Sequence, residues 1–558
     1  MRQIALGLTA AALTLALPAA SAPPAPADLV IWGGPIYTAV DAHPKVEAVA
    51  VSHGRIAFAG SQDAAKSLVG PRTKVIDLAG AALFPGFTDS HAHLDGIGDR
   101  ELTLNLEGSK SAAEVTQRLK TYIAEHRPKG TVIGRGWIET GWPEGRFLER
   151  GDLDAAAPDV AVILVRADGH ALVANTAALK AAGIDEATPA PAGGAILKDA
   201  NGRLTGMLVD NAMGLVRKLE QAPTEADRRA AFDAAFRVEA AYGWTGVHAM
   251  SVDWADVGLL ETLDKEGKTP LRVYNAVEAD QAGPLFASGP RQTADGRITT
   301  RAIKLYEDGA LGSRGAYLFA PYADSPGATG LVRTPPEVMR AAMAKAKAAG
   351  IQVSTHAIGD RGNASVLDLY AEQGVKDGRW RIEHSQILRP ADIPRFAQLG
   401  VIASMQPSHA IGDFHFAPAR LGEDRLKGAY AWQSLLKSGA VVVGGSDAPV
   451  ERGSPMIEFY AAVARKDLKG FSAPDWHPEE ALTREQALKL FTSSAAYARF
   501  AEKDLGSISV GKRADLSAFS ADFMTVPEAE IPKAHAVLTV VDGKVVYQAA
   551  LGWLRTAP

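Results

Sequence analysis

Phe84-Pro-Gly-Phe-Thr-Asp-Ser-His-Ala-His-Leu-Asp95 is the stretch around which the rest of the chain is organised. Side chains alternate across an extended strand, so His91 and His93 point to the same face. Neutral imidazole is the commonest protein ligand for divalent transition metals, and two on one face make half of a metal site. Alone, a His-x-His pair is as well read as two ordinary turn histidines. Here the apolar run 83–87, bent by Pro85-Gly86, leads straight into the pair, and further ligand-type residues recur at strand ends downstream.

Working outward, segment 87–91 is the first of eight apolar strand candidates, followed by 245–250, 271–277, 301–306, 351–356, 380–384, 401–406 and 440–445. Helical patterns at 228–242, 335–349 and 484–496 fall between or after them. Apolar strands alternating with amphipathic helices predict a parallel sheet, and eight of them predict an α/β fold of the (β/α)₈ TIM-like barrel type. A barrel unit averages roughly 30 residues, yet the first two strands are far more widely separated. The excess predicts an inserted α/β lobe at 98–220, rising from the first βα loop over the active site.

The ends of the chain have a different character. Segments 29–34, 48–59 and 74–77 are β-rich and broken by glycine, as are 507–519 and 536–547. Termini often lie close together, so residues 28–83 and 503–558 are expected to form one composite β-sandwich. That leaves 84–97 and 221–502 for the barrel.

Composition narrows the function. The 558 residues exceed what one core organises, and 47% hydrophobic with 22% charged residues is globular. A net charge of −5 without a Lys/Arg block argues against nucleic acid and for a small-molecule substrate, and leaves a homodimer open. There is no cysteine, which excludes disulfides, cysteine nucleophiles and thiolate ligands. Any metal site must use His, Asp, Glu or a modified Lys.

Segment 1–22 reads as a signal peptide, with Arg2, an apolar run at 4–17, and an Ala20-Ser21-Ala22 cleavage site. The run is shorter than the roughly 20 residues a membrane span needs. An exported, periplasmic protein processed near Ala22 is expected, with no stable membrane span.

The ends of the strand candidates carry Lys304, His356, His384 and Asp447, with His248 as a further candidate. Barrel active sites draw residues from the ends of different strands, so this scatter is the form convergence would take. Each has a competing structural reading. Lys304 could snorkel from an edge, although an unpaired ammonium inside a barrel is costly. His356, His384 and His248 could be buried structural histidines, and Asp447 could cap a turn before Pro449. In the functional reading Asp447 is both metal ligand and the base for a water whose pKa a divalent metal lowers to about 7.

Several motifs closely resemble the metal-dependent amidohydrolases of the imidazolonepropionase-like and YtcJ-like group. They are 83–93, Lys304 with Asp308-Gly309 and Gly312-Ser-Arg314, Thr355-His-Ala-Ile-Gly-Asp-Arg361, Arg381-Ile-Glu-His384 and Gly445-Ser-Asp-Ala-Pro-Val450. Gly134-Arg-Gly-Trp137, Asp168-Gly-His170 and Gly511-Lys-Arg-Ala-Asp515 also match. The resemblance implies a barrel with a composite β-sandwich and an inserted lobe. It implies a divalent metal centre, usually zinc, of one or two ions, held by His91, His93, Lys304 as a carboxylated lysine, His356, His384 and Asp447. It suggests a substrate contact at His170, with a surface loop histidine as the rival, while His248, which departs from the ligand set, and Arg314, Arg361, Gln406 and His409 are candidate pocket residues.

The reaction expected is hydrolysis of a non-protein or terminal C–N bond, in an N-acyl or N-formyl amine, a cyclic amide or a dipeptide-like molecule. Asp447 would take a proton from the attacking water and return it to the departing nitrogen. The same centre could serve an ester, lactone or carbamate, or an isomerisation. A binding protein that kept the fold without catalysis is the rival of another class; retention of all six metal-site residue types argues against it.

Overall fold

The computed structural model describes residues 25–550, except 129, 221–222, 375 and 475, together with 555–556. The expected signal peptide, 1–22, lies outside the described residues.

Eight parallel strands form the central sheet, each hydrogen-bonded to the next in chain order. They are Phe87–Ala92, Trp244–Val252, Arg272–Glu278, Ile298–Tyr306, Gln352–Ala357, Arg381–His384, Ile402–Met405 and Val442–Gly444. The first and last meet without a regular ladder. Asp447 N–H donates to His91 O at 2.7 Å, and Asp89 accepts from Ser446 N–H at 2.9 Å and Ser446 Oγ at 2.5 Å. Gly445 permits this approach, because a Cβ there would lie 2.4 Å from His91 N. The fold is therefore a nearly closed TIM-like barrel, as the strand count predicts.

Helices cover the barrel. Glu225–Tyr242 begins with a capping box between Thr224 and Asp227 and ends at Gly243 with φ 101°. Its inner face crosses the short helix Leu94–Leu102, where a Cβ on Gly98 would lie 2.0 Å from Ala231 O. The helix expected over 484–496 is two helices, Arg484–Leu490 and Ser493–Ala498. The break has a local cause: Phe491 O accepts from Thr88 N–H at 2.8 Å, which pulls the chain onto the first barrel strand.

The segment after the first barrel strand carries its own sheet of six strands, in the order 194–198, 204–210, 171–174, 162–166, 132–137, 104–105. The boundary expected between 97 and 98 falls inside helix Leu94–Leu102, so barrel and insertion share a helix instead of a linker. A third sheet joins strands from both chain ends, with Ala82–Pro85 pairing Leu516–Phe519 antiparallel. Leu29, Ile31, Val49, Ile76, Leu83, Leu516 and Leu538 from these strands share one core. Arg272, at the base of the barrel, reaches into this sheet and meets Asp515 at 2.6 Å.

Candidate metal centre and active site

The carboxyl ends of the barrel strands bring together the six residues singled out as ligands. His91 lies in the first strand and His93 caps the following helix, and their rings stand 5.7 Å apart. His91 Nε2 is 3.4 Å and His93 Nε2 3.2 Å from Asp447 Oδ1. On the other side, the rings of His356 and His384 are 4.5 Å apart, and that of His384 is 5.0 Å from His91. Lys304 is buried between these groups, its Nζ 3.4 Å from His91 Nε2. The strand register delivers this, since Lys304 lies beside Ser354 and Tyr306 beside His356.

Backbone conformation helps to aim the ligands. His384 has φ 73° and Asp447 φ 59°, a left-handed region that side-chain-bearing residues seldom occupy. His384 ends its short strand and Asp447 lies three residues beyond the last one, and non-glycine residues held in this region cluster at functional sites.

The electrostatics suit metal binding. Burial pushes the pKa values of His356 and His384 well below the imidazole range, keeping the lone pairs free. Burial also lowers the Lys304 ammonium. For Asp447 burial opposes ionisation, but His91, His93 and His384 outweigh it and hold the carboxylate well below its usual range. His356 Nε2, His384 Nδ1 and Asp447 Oδ1 are buried with no hydrogen-bond partner. Buried polar atoms are normally satisfied, and His91, His93 and Asp447 offer ligand atoms close enough together to share a cation. The donor set of imidazole, carboxylate and a neutral or carboxylated lysine suits a divalent ion of the zinc type.

Residues around the ligands hold them in place. Glu383 Oε2 lies 2.7 Å from His91 Nδ1, which directs Nε2 toward Asp447. Arg381 binds Glu383 in turn, at 2.7 and 2.9 Å, and also Ser90 O and Ser404 Oγ. Asp308 accepts from the N–H groups of Tyr317, Ile358 and Gly359 at 2.8–2.9 Å, tying together the loops after two barrel strands. The sequence carried a signal for the first pair: Arg381 and Glu383 alternate within a strand otherwise fit only for burial.

A cavity of about 400 Å³ opens above the centre, lined by His384 and Asp447 from the barrel and by His170 from the inserted lobe. His170 Nδ1 is 2.7 Å from Asp210, and its ring lies 5.1 Å from that of His356. His409 also lines the cavity, its Nε2 3.6 Å from Asp447 Oδ2. His384, His409 and Asp447 form a second cluster able to share an ion. His415, given no role by the sequence, lines the cavity too and packs against Phe414 and Phe471.

Four expected pocket residues do not line it. His248 turns its Nδ1 to Arg381 at 2.9 Å, where it supports the Arg381–Glu383 pair from beneath. Arg314 pairs with Asp324 at 2.9 Å, and Arg361 stacks on Tyr317. Gln406 is buried at the start of helix Pro407–Asp413. A strand-end position brings a residue near the barrel mouth but does not fix which way its side chain turns.

Comparisons with known proteins agree with this architecture. A family model described as "Amidohydrolase family" matches residues 74–547. The chain is 36% identical over 530 residues to the putative amidohydrolase YtcJ of Bacillus subtilis, covering 93% of this chain and 99% of that protein. It is 28% identical over 540 residues to N-substituted formamide deformylase of Arthrobacter pascens, covering 93% and 98%. The crystal structure of an uncharacterised metal-dependent hydrolase from Pyrococcus horikoshii superposes with a TM-score of 0.74 at 30% identity, over 90% of this chain and 99% of that one. This chain belongs to the amidohydrolase family of metal-dependent hydrolases.

Proposed function

We propose that the protein is an exported zinc hydrolase that cleaves a non-peptide or terminal C–N bond of a small molecule, in an amide, N-acyl, N-formyl or cyclic amide substrate. Its family brings hydrolysis of C–N bonds and a divalent metal. The observation that carries the reading is the gathering of six ligand-type side chains at the carboxyl ends of the barrel strands, with His356 Nε2, His384 Nδ1 and Asp447 Oδ1 buried and without hydrogen-bond partners.

His91, His93 and Asp447 would hold one ion, His356 and His384 a second, with Lys304 between them. Bound there, the ions supply Lewis acidity toward the substrate carbonyl and lower the pKa of the attacking water. Lys304 has the environment for carboxylation. Burial favours its neutral amine, whose nitrogen adds to the carbon of carbon dioxide and releases a proton, leaving an anionic carbamate oxygen. Asp447 stays ionised beside the imidazoles. It accepts the proton of the attacking water and passes it to the nitrogen as the C–N bond breaks. His170, fixed by Asp210, meets the substrate from the lobe side.

The similarity to a deformylase of N-substituted formamides favours amides over the ester, lactone and carbamate alternatives. Export rests on the 1–22 pattern, and N-terminal sequencing of the mature protein from its host checks it. The catalytic reading is tested by stripping metal with a chelator, restoring zinc, and assaying N-formyl amines, N-acyl amines and cyclic amides beside esters and lactones. Metal-dependent release of amine supports the proposal. Preferential ester or lactone cleavage would move the reaction to C–O bonds, and a metal-binding but inert protein would favour the binding-protein alternative.

A further inference from the structure

The cavity above the proposed centre has a charge pattern that selects among amides. Three arginines line it, Arg100, Arg166 and Arg452, and each is already matched. Arg166 is buried between Glu139, at 2.9 and 3.0 Å, and Asp168, at 2.5 Å. Arg452 meets Glu107 at 3.0 Å. Arg100 meets Glu101 at 3.0 Å and donates to the carbonyls of Glu451 and Arg452. Each guanidinium lining the cavity thus already has a carboxylate partner, Arg452 through its Nε alone.

The acids are in the opposite condition. Asp413 receives only neutral donors, Gln386 Nε2 at 2.8 Å and the Tyr430 hydroxyl. Glu451 has His409 Nε2 at 3.8 Å as its ion-pairing neighbour. Glu458 is 1% exposed, accepts from Ser408 N–H at 2.9 Å through Oε2, and has no partner for Oε1. All three line the cavity. The remaining wall mixes apolar side chains, Ile138, Leu311, Ile411, Phe416, Val450 and Leu468, with the imidazoles of His170, His384, His409 and His415. Burial raises the pKa values of all three acids, that of Glu451 to about 7. A carboxylate entering beside them meets unmatched desolvation, whereas an apolar group loses little and an ammonium draws the acids toward their ionised, pairing form.

Resting on the amide-hydrolase reading above, we propose that the substrates are amides carrying a neutral apolar or a cationic substituent and no free carboxylate. The pocket thereby rejects N-acyl amino acids and dipeptide-like molecules, and Glu451 is a specificity-determining residue.

The test uses three N-formyl benzylamines of matched size on the zinc-loaded full chain, with hydrogen, aminomethyl or carboxylate at the para position. Affinity is read by calorimetry and kcat/KM by amine release. The unsubstituted and aminomethyl compounds are expected to exceed the carboxylate by at least about tenfold in affinity, and Glu451→Gln to shrink the aminomethyl-to-carboxylate ratio by about threefold or more. A carboxylate that binds as well as or better than the others overturns the inference, as does failure of all three to bind. Binding in the expected order without amine release would leave the selectivity standing and sink the proposed reaction instead.

Discussion

Glu383 and His91 form a buried pair, with Oε2 2.7 Å from Nδ1 and neither side chain exposed to solvent. Burial opposes ionisation of Glu383, but Arg381, His91 and Lys304 outweigh it and hold the carboxyl well below its usual range. A charged acceptor on Nδ1 fixes the tautomer that presents Nε2 to the site and raises its basicity. Glu383→Gln is therefore expected to weaken metal affinity about 10–100-fold, read by competition with a zinc chelator of known strength. Unchanged affinity would mean that the pair merely packs.

His170 reaches the cavity from a lobe that contributes none of the proposed ligands, its ring 5.1 Å from His356. His170→Ala is expected to keep the metal content of the wild type while kcat/KM falls about 10–100-fold, of the order of one lost polar contact in the transition state. Asp210→Asn, which loosens the ring at 2.7 Å, is expected to act in the same direction more weakly. Loss of metal in either variant would place His170 in a different role.

Arg272 joins the base of the barrel to the terminal sheet, 2% exposed and bound to Asp515 and Asp542. Removing one member of a buried ion pair leaves its partner unpaired, at about 3–5 kcal/mol. Arg272→Ala should lower stability by that order in denaturant titration, while the metal content of the protein that stays folded is unchanged. A change below about 1 kcal/mol would show that water replaces the arginine.

Glu239 is wholly buried and neither carboxyl oxygen has a hydrogen-bond partner. Burial first, then the nearby Asp89, raise its pKa well above the usual carboxylate value. The folded state thus keeps its proton where the unfolded chain, with a pKa of about 4.3, has lost it. The protonated form's stabilising contribution is complete below that value and is lost as pH rises toward the folded pKa, at up to about 1.4 kcal/mol per unit. Glu239→Gln removes this dependence, so its stability relative to wild type should improve between pH 5 and 7 in paired thermal unfolding. A pH-independent difference would contradict the assignment.

The barrel was legible because its strands are apolar runs alternating with helices, and the ligand set because His-x-His, Lys, His, His and Asp all fall at strand ends. Side-chain direction was not. His248 lies in the middle of its strand and turns to Arg381, Gln406 follows a strand end yet does not line the cavity, and Arg314 finds Asp324 in its own loop. Nothing local marks the role of Glu383, since only the fold brings it to a histidine 292 positions away. His415 and Glu451 lie on loops whose course depends on packing against the inserted lobe and neighbouring helices, so no local pattern marks them.

The central claim is a metal centre built around Lys304. Its most direct test is elemental analysis of the purified mature protein, wild type beside Lys304→Ala, with circular dichroism to confirm that both are folded. About two divalent ions per chain in the wild type, and one or fewer in Lys304→Ala, is the expected result. A wild type that binds no ion after zinc reconstitution, or a metal content indifferent to Lys304, would contradict it.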